Sequence, residues 1–435
     1  MKFVHAADLH LDSPLRGLEA YEGAPVDEIR GATRRAVSNL VELCLEEEAA
    51  LLVIAGDLYD GDWRDYNTGL FFLRQVTRLL REGVRVAWVR GNHDAASQIT
   101  KALTRPEGAI EFATRAPGTV RLEDLGIALH GQSYGHREVT TDLAAGYPEP
   151  VPDLFNLGLL HTALDGRPGH DAYAPTSASR LAARGYDYWA LGHVHAREVV
   201  AQDPWIVFPG NLQGRHAREA GPKGATVVTV EDGRVVGEPE HRVLDVVRWS
   251  VRPVDVSEAA SGSEVVERVR EEMDRALAEA EDRLLALRIE LVGATRADAA
   301  LRRSPERWEG EIRLQAEASG APVWLEKIRL ATRPDADPGA LVSGDHPIAR
   351  LARALAGRTA SRTATGPASA EGDADEAFAR ELATQLEPLA GRLPAEYRQL
   401  ADALDLGAPE SIATIVESAE GMLHARLLGL GGEEA

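Results

Sequence analysis

Seven short apolar runs recur over the first 245 residues, and polar residues follow each of them. The runs read KFVHAAD, ALLVIAGD, RVAWVRGN, GIALHGQ, NLGLLHT, YWALGHV and WIVFPGN. Runs this apolar are typical of strands that are buried on both faces. Segments with an apolar residue every three or four positions separate the first three runs, which indicates helices lying against the strands. We therefore predict a layered α/β domain at residues 1–245.

A second, smaller α/β unit is predicted at residues 246–335. VVRWSVRPVDV favours a strand, a helix opens at Ser263, and RLLALRIELVG alternates apolar and charged residues as a strand with one wet face does. Residues 336–375 are rich in Ala, Pro, Gly, Ser, Thr and Asp, and such a segment buries too little apolar area to offset the entropy of ordering. We predict a flexible linker there.

The last predicted unit, residues 376–435, returns to helical spacing. One stripe of a helix that begins near Pro409 carries the apolar residues Ile412, Ile415, Val416, Ala419, Met422, Leu423 and Leu427. This stripe needs a cover, which is either the body of the protein or a separate partner. The spacing supports both interpretations about equally.

Composition narrows the classes of protein that fit. A net charge of −21, from 48 basic and 69 acidic residues, disfavours a protein that holds nucleic acid by bulk positive charge. The single cysteine, Cys44, excludes an intrachain disulfide and a thiolate zinc cluster. The start MKFVHAADLHLD lacks a secretory signal pattern, and no run of eighteen apolar residues occurs. We therefore expect a cytoplasmic protein with no membrane span.

Candidate ligands follow the predicted strands. Asp8 and His10 stand two residues apart after the first run, so in an extended chain both side chains point the same way. Later strand ends carry Asp57, the group Asn92, His93 and Asp94, then His161, and finally His193 and His195. Sites in open α/β sheets form at the carboxyl ends of the strands. We predict that these residues converge on one site.

The donor atoms of these candidates are oxygens and imidazole nitrogens, which suit divalent Mn, Mg, Fe or Zn. Asp57 is central in the chain order of the candidates and can therefore bridge two ions. Two ions about 3.5 to 4 Å apart activate a water and hold both oxygens of an in-line displacement at phosphorus. The glycines at positions 56, 91 and 192 permit close backbone approach beside the ligands. No single motif decides the chemistry, but the full set predicts phosphate-ester hydrolysis with two metal ions.

The motifs D-x-H, G-D, G-N-H-D, H and G-H-x-H, in this order, resemble the signature of the calcineurin-like metallophosphoesterases over about the first 215 residues. The opening HAADLHLDSP, the turn GDLYD and the sequence FPGN after GHVH resemble the DNA repair exonuclease branch, the SbcD type and its YhaO-like relatives. This resemblance implies a β-sandwich flanked by helices, a small α/β capping domain, and helices that dock an SMC-like ATPase of the SbcC type. It also implies a DNA substrate and homodimers that pair through helices of the phosphoesterase domain.

The same resemblance implies a role for each candidate ligand. One ion, usually Mn²⁺ in this branch, would be held by Asp8, His10, Asp57 and His195, and the other by Asp57, Asn92, His161 and His193. His93 would act on the leaving group, with Asp94 orienting its ring through a hydrogen bond. Some relatives carry a histidine three residues after the bridging aspartate, whereas this chain has Asp60. The sequence assigns Asp60 no role.

Three functions fit these motifs. The first is a DNA exonuclease or endonuclease in a repair complex, whose ATPase partner supplies most of the DNA-binding surface. The second is a phosphatase or phosphodiesterase that acts on nucleotides or phosphoproteins, which the long carboxyl-terminal half disfavours. The third is a weakly active metal-binding scaffold, which predicts damage to the ligand motifs that the sequence does not show.

Two groups of arginines are candidate DNA contacts. The first surrounds Trp308, but acidic residues are interleaved with it, which favours a solvated charged helix. The second, Arg215 and Arg218, follows FPGNLQG closely enough to meet a substrate backbone near the site.

Overall fold

The computed structural model describes residues 1–13, 15, 23–60, 66–96, 104–166, 173–335, 380–386, 388, 408, 411–412, 415–416 and 419. The chain separates into two compact units: unit 1 comprises Met1–Leu15 and Pro25–Trp249, and unit 2 comprises Arg16–Ala24 and Ser250–Ala435. The predicted linker at 336–375 lies outside the described residues, as do Met422, Leu423 and Leu427 of the apolar stripe, whereas Ile412, Ile415, Val416 and Ala419 are helical. The linker, the cover of the stripe and the three boundaries between the four predicted segments stay predictions. Across the described ranges, no helix is both long enough and apolar enough to span a membrane.

The strands are β1 (Lys2–Ala6), β2 (Leu51–Ala55), β3 (Arg85–Val89), β4 (Ile110–Glu111), β5 (Gly118–Leu122), β6 (Ile127–Gly131), β7 (Phe155–His161), β8 (Tyr188–Gly192), β9 (Glu198–Gln202), β10 (Trp205–Phe208), β11 (Gly224–Glu231), β12 (Arg234–Val235), β13 (Glu240–Val243), β14 (Val247–Asp255), β15 (Leu284–Thr295) and β16 (Val323–Pro334). The α-helices are α1 (Val26–Arg30), α2 (Ala32–Glu46), α3 (Tyr66–Arg81), α4 (Asn92–Ala96), α5 (Ala178–Ala183), α6 (Gly262–Ala280), α7 (Asp298–Arg303) and α8 (Pro305–Ala318). Short 3₁₀ turns lie at Ala144–Gly146 and Ala217–Glu219.

Unit 1 is a sandwich of two mixed sheets. The first sheet has the order β12-β11-β1-β2-β3-β4, with β13 beside β11, and the second has the order β5-β6-β7-β8-β10-β9. Strands β1 to β4 are parallel, and so are β6, β7, β8 and β10. Phe3 and Val53 from the first sheet share one core with Leu157 and Tyr188 from the second. This shared core joins the inner faces of the two sheets.

Helices cover the outer faces of the sandwich because side chains alternate between the faces of each strand. Val4 and Leu52 of the first sheet pack with Leu40 of α2 and Val76 of α3. On the second sheet, buried apolar side chains pack with Leu181 of α5. The layers therefore run helix, sheet, sheet, helix, which confirms the predicted layered sandwich.

All seven apolar runs form strands, namely β1, β2, β3, β6, β7, β8 and β10. These are the strands of the two parallel blocks, which pack against apolar groups on both faces. The carboxyl ends of β1, β2, β3, β7 and β8 carry the predicted ligands, so the fold places those residues at one edge of the sandwich.

Unit 2 has a three-stranded sheet with the order β14-β15-β16, in which β15 and β16 are parallel. Helix α6 begins at Gly262, one residue before the predicted Ser263, because Ser261 is its N-cap and accepts a hydrogen bond from the Glu264 N–H. One prediction for β15 is wrong. Arg288 does not lie on a wet face but is buried, where it forms a two-point ion pair with Glu326.

Helix α8 contains Trp308 and two of the surrounding arginines, and these two pair with acids of the same helix, as the interleaved acids predicted. Arg307 pairs with Glu311 at 2.8 Å and Arg313 pairs with Glu309 at 2.7 Å, each one helical turn away. The Arg307 guanidinium also lies 4.5 Å from the centre of the Trp308 ring, which packs in the core of unit 2. The guanidinium groups of Arg307 and Arg313, which would have to bind a phosphate, are therefore already engaged in contacts within the helix.

Candidate metal centre

The predicted ligands lie at the carboxyl ends of parallel strands from both sheets of unit 1. They follow β1, β2, β3 and β8, or close β7 in the case of His161. His93 and His195 are half-buried, and the others, Asp8, His10, Asp57, Asn92, Asp94, His161 and His193, are buried. Burying this many polar groups is unfavourable unless partners or cations satisfy them.

Three groups of potential metal ligands have all their donor atoms within 4.8 Å of one another. The groups are Asp8 with His10 and His195, Asp8 with Asp57 and His161, and His10 with Asp60 and His93. Two residues join these groups, since Asp8 belongs to the first and second, and His10 to the first and third. The strand ends therefore form one continuous cluster, as the motifs predicted.

The surroundings of the His161 ring place several electron-donating atoms close together. Its Nδ1 lies 2.9 Å from the carbonyl oxygen of Ala55 and donates a hydrogen bond to it. Its Nε2 lies 2.9 Å from Oδ1 of Asn92 and 3.4 Å from Oδ2 of Asp57. Burial lowers the pKa of His161, which favours the neutral ring. Because Nδ1 holds the proton of the neutral ring, Nε2 carries a lone pair. Three electron-donating atoms then converge, and a divalent cation would satisfy them together.

His10 and His195 form a second such contact. Their Nε2 atoms lie 3.1 Å apart, and Nδ1 of His195 lies 2.6 Å from Oε1 of Glu219. Because Nδ1 of His195 donates to Glu219, Nε2 of the same ring carries a lone pair that points at His10. His10 Nδ1 is buried, and none of the described residues is its hydrogen-bond partner. Oxygen and imidazole donors arranged in this way fit a divalent cation.

His193 enters the cluster mainly through its backbone. Its N–H donates to both carboxylate oxygens of Asp8, at 3.1 and 3.0 Å. The centre of its ring lies 5.1 Å from that of His161. Its ring nitrogens belong to none of the three donor groups found among the described residues. The ring is therefore a neighbour of the cluster, and its role as a ligand stays a prediction.

The backbone at the site is strained. Asp8, His10 and Asp57 have φ angles of 52°, 42° and 52°, and His193 has a φ of 101°. Residues other than glycine rarely adopt this region, and each such residue costs of order 1–3 kcal/mol. Four strained residues at one cluster therefore indicate that function, rather than folding, selects these positions.

Two glycines allow the ligands to approach the backbone closely. A Cβ atom at residue 91 would lie 2.2 Å from Oδ1 of Asp57, and one at residue 56 would lie 2.5 Å from Nδ1 of His161. Gly56 also has a φ of 96°. Any side chain at either position would displace a predicted ligand, which agrees with the close approach expected from the sequence.

The carboxylates of the cluster respond differently to burial. Burial and the nearby charge of Asp57 raise the pKa of Asp8 well above its usual range. Burial opposes ionisation of Asp57 too, but the rings of His161, His93 and His10, when protonated, and the backbone N–H of His93 outweigh it and lower the pKa of Asp57 to about 2. Asp57 therefore stays ionised and supplies the central negative charge.

The carboxylate that contacts the ring of His93 is Asp60. Its Oδ1 lies 2.7 Å from His93 Nδ1. Burial alone would lower the pKa of His93, but the hydrogen bond to Asp60 and the charge of Asp57 outweigh it and raise that pKa. Asp94, for which the family resemblance implied this role, instead accepts hydrogen bonds from the backbone N–H groups of Leu58, Tyr59 and Gly91. The predicted orienting role of Asp94 is thus corrected: Asp94 holds together the turns that follow β2 and β3.

Three further residues belong to the site: sequence reasoning missed Glu219 and Tyr134 and predicted a different role for Arg215. Glu219 contacts His195, Arg215 contacts both Glu219 and Asp60, and Tyr134 donates to the backbone oxygen of His161 at 2.8 Å. Burial opposes ionisation of Glu219, yet Arg215 and His195 lower its pKa well below the usual range. Only Arg215 carried a signal, its closeness to the FPGN sequence, and its partners are carboxylates rather than the predicted phosphate.

Comparison with known proteins agrees with this geometry. Residues 1–197 match the family model of the calcineurin-like phosphoesterases, and residues 249–333 match that of the middle domain of metallophosphoesterase YhaO. The chain is 35% identical over 263 residues to the uncharacterized metallophosphoesterase YhaO of Bacillus subtilis, covering 60% of this chain and 64% of that protein. It is 26% identical over 309 residues to the DNA double-strand break repair protein Mre11 of Methanopyrus kandleri, covering 62% of each.

The chain thus spans somewhat less than two thirds of both relatives. Among solved structures, TT1561 of Thermus thermophilus matches with a TM-score of 0.31 and 15% identity, over 55% of this chain and 98% of that one. The two family models follow each other along the chain in the order of the phosphoesterase domain and the YhaO middle domain. Residues 1–197 of this chain therefore form a calcineurin-like metallophosphoesterase domain, and the similarities of the chain are consistent with the DNA repair exonuclease branch.

Proposed function

We propose that this chain is a two-metal phosphodiesterase that cleaves DNA as the nuclease subunit of a repair complex with an SMC-like ATPase. The observation that carries the proposal is the convergence of lone pairs from His161, Asn92 and Asp57 at one buried point. A second convergence at His10 and His195 supports a second ion. The coarser statement, a metal-dependent phosphoesterase, is supported by the match of residues 1–197 to the calcineurin-like phosphoesterases.

The proposed ligands are the residues predicted from the motifs. Asp8, His10, Asp57 and His195 would hold one cation, and Asp57, Asn92, His161 and His193 the other, with Mn²⁺ as the first choice and Mg²⁺, Fe²⁺ or Zn²⁺ as alternatives. When bound, the ions supply an activated water and charge stabilisation at phosphorus. Glu219 accepts a hydrogen bond from the Nδ1–H of His195, and the carbonyl oxygen of Ala55 accepts one from the Nδ1–H of His161. These bonds fix the tautomers of the two rings, so that each Nε2 carries a lone pair for a metal ion.

His93 is the proposed catalytic acid. Asp60 accepts from its Nδ1–H, so Nε2 is the ring nitrogen that can deliver a proton to the departing oxygen. The side chain of His93 is 29% exposed, whereas that of His10 is 1% exposed, so His93 is the ring of this pair that solvent reaches. The raised pKa of His93 favours the protonated form that an acid requires.

DNA is the proposed substrate for two reasons. The similarity to an archaeal protein named as a DNA double-strand break repair protein extends over 309 residues, beyond the phosphoesterase domain alone. The chain also continues past that domain into unit 2, which a hydrolase for small esters does not need. The net charge of −21 supports a partner that supplies the DNA-binding surface. A homodimer and a cytoplasmic location belong to the same proposal.

The test combines metal binding with substrate choice. The metal-free chain is loaded with Mn²⁺, its bound metal is counted, and it is incubated with labelled single- and double-stranded DNA, nucleotides and a phosphoprotein. We expect about two ions per chain and cleavage of DNA. Cleavage of the small esters alone would contradict the nuclease proposal, and failure to bind any divalent ion would contradict the hydrolase as a whole.

The partner is tested separately with the full-length chain. Affinity capture is followed by mass spectrometry, and we expect recovery of a protein that combines a Walker motif with long heptad repeats. Repeated recovery of the chain without such an ATPase would contradict the proposed complex while leaving the nuclease proposal intact.

A further inference from the structure

The guanidinium group of Arg215 lies between two carboxylates that the ligand motifs do not include. Its Nη1 donates to Oδ2 of Asp60 at 3.3 Å, and its Nη2 donates to Oε1 of Glu219 at 3.0 Å. The backbone N–H of Arg215 donates to Oε2 of Glu219 at 2.8 Å. Its side chain is only 13% exposed. Arg215 is thus anchored to the 3₁₀ turn that contains Glu219 and reaches from there to the loop after β2.

Each carboxylate holds one imidazole of the site. Asp60 Oδ1 lies 2.7 Å from Nδ1 of His93, and Glu219 Oε1 lies 2.6 Å from Nδ1 of His195. The contacts therefore form a chain that runs from one ring to the other through Asp60, Arg215 and Glu219. One end is the proposed acid, and the other is a proposed metal ligand.

We propose that Arg215 is a positioning residue that couples the orientation of His93 to that of His195. This inference rests on the proposed function, since it gives the two rings their roles. The planar fork of an arginine can donate to two carboxylates at once, whereas a lysine ammonium acts as a point charge. Ser13 also donates to Asp60 and Asn211 also donates to Glu219, but among these donors Arg215 contacts both carboxylates. Arg215 therefore links the positions of the two carboxylates, and they fix the tautomer and the plane of their rings.

A role for Arg215 as a direct phosphate contact fits the structure less well. Three of its side-chain nitrogens face carboxylate oxygens, because Nε also lies 3.4 Å from Oε2 of Glu219. Burial opposes its charge, but Glu219 and Asp60 raise the pKa of Arg215. A phosphate would have to displace these carboxylates, which are themselves engaged with the rings of His93 and His195.

The variant Arg215→Lys replaces the planar guanidinium group of residue 215 by an ammonium group and keeps the positive charge. The matched control is Arg218→Lys, because Arg218 lies three residues away and is exposed. Nitrogen-labelled histidine in the metal-free protein, without substrate, reports the Nδ1–H signals of the two rings by NMR. We expect Arg215→Lys to shift or broaden the signals of both His93 and His195, and Arg218→Lys to leave them in place.

Cross-variants test the coupling itself. Asp60→Asn should move the signal of His195 as well as that of His93, and Glu219→Gln should move the signal of His93 as well as that of His195. If each variant moves only the ring that it contacts, the two rings are independent and the inference is wrong. These variants also decide the question if Arg215→Lys does not fold.

Kinetics separate positioning from substrate contact. We expect Arg215→Lys to lower kcat about 10- to 100-fold, with KM for DNA changed less than about threefold. A raised KM with unchanged kcat would instead identify a phosphate contact and overturn the inference. The NMR measurement needs neither metal nor DNA, so an inactive wild-type protein would contradict the proposed function without affecting the result on Arg215.

Discussion

Unit 1 and unit 2 each bury a cluster of charged side chains, and the two clusters differ in how the cost of burying charge is offset. In unit 2, Arg288 and Glu326 face each other in a fork, with Nε–Oε2 and Nη2–Oε1 distances of 2.7 and 2.6 Å. The two side chains are 7% and 5% exposed, and one positive charge meets one negative charge. Such a pair is complete, because neither partner needs a further ion.

The cluster of unit 1 is not balanced in this way. The described residues there bring together the carboxylates of Asp8, Asp57, Asp60, Asp94 and Glu219, whereas the Lys and Arg side chains near them are Arg215 and Lys223, and burial lowers the pKa of Lys223. His93, whose pKa is raised, can supply one positive charge, but burial lowers the pKa of His10 and of His161. Burial and the charge of Asp57 raise the pKa of Asp8 and of Asp94, because ionisation of every carboxylate in the cluster is costly unless cations join it. The comparison indicates that the pair of unit 2 is neutral by itself, whereas the cluster of unit 1 has too little positive charge, which the proposed metal ions would supply.

Removing the central carboxylate should have the largest effect. Asp57→Asn takes away the ionised group that faces both His10 and His161. We expect loss of at least one bound Mn²⁺ per chain and a fall in kcat of about 10⁴-fold or more, since two-metal chemistry supplies several kcal/mol of stabilisation. Metal analysis and initial rates would measure these effects, with exposed Asp232→Asn as the control. Full metal content in Asp57→Asn would show that the deficit is not where we locate it.

Much of this site was predictable because its ligands are set by local sequence. An apolar run gives a strand, and the residues just after parallel strands share one edge, so the order of the motifs alone was enough to place Asp8, Asp57 and His161 together. The residues around them could not be placed in this way. Asp60 and Arg215 are 155 positions apart, and their contact depends on how two loops fold over the sheet edge.

The burial of charged residues could not be predicted from the sequence either. Arg288 alternates with apolar residues in β15, so the pattern predicted a wet face, but the other face of a strand is wet only if nothing covers it. Glu326 lies 38 residues later, and no local pattern reveals that the two charges pair. The alternating pattern therefore shows which residues of a strand lie on the same face. It does not show whether that face is exposed to solvent.

Removing the proposed acid should lower activity while the charge deficit, and so the metals, remain. His93→Gln deletes the imidazole that contacts Asp60 and leaves the ligands of both ions in place. General acid catalysis contributes typically 10²- to 10⁴-fold, so we expect kcat to fall within that range. Metal content should stay near two ions per chain. A loss of metal in His93→Gln would make His93 a ligand, and would enlarge the cluster that needs cations.

Breaking the complete pair in unit 2 should cost stability and leave metal binding unchanged. Arg288→Met leaves Glu326 as an uncompensated buried charge, and removal of one partner from such a pair costs about 3–5 kcal/mol. Replacing both partners, as in Arg288→Met with Glu326→Leu, should recover most of that loss. Urea denaturation would measure both variants. Equal losses in the single and double variants would show that the pair is worth more than its mutual neutralisation, and would weaken the contrast with unit 1.

The smallest expected effect concerns a histidine of unit 1 that needs no cation. His5 is buried, with Nδ1 3.1 Å from the hydroxyl of Tyr188 and Nε2 3.1 Å from the carbonyl oxygen of Leu191. Burial lowers the pKa of His5 to about 3, so the folded protein keeps the ring neutral. The unfolded chain binds a proton below its ordinary pKa of about 6.5, so stability falls as the pH drops from there towards 3.

This one group should make the free energy of unfolding about 2 kcal/mol smaller at pH 5 than at pH 7. His5→Gln keeps an amide donor for Leu191 but does not titrate, so its loss between pH 7 and pH 5 should be smaller than that of the wild type by about that amount. Exposed His136→Gln is the matched control and should follow the wild type. Identical pH dependence in the wild type and His5→Gln would mean that the ring of His5 takes up its proton without unfolding. In that case burial alone would not keep a histidine of unit 1 neutral, and the lone pairs that we assign to His10 and His161 would need another explanation.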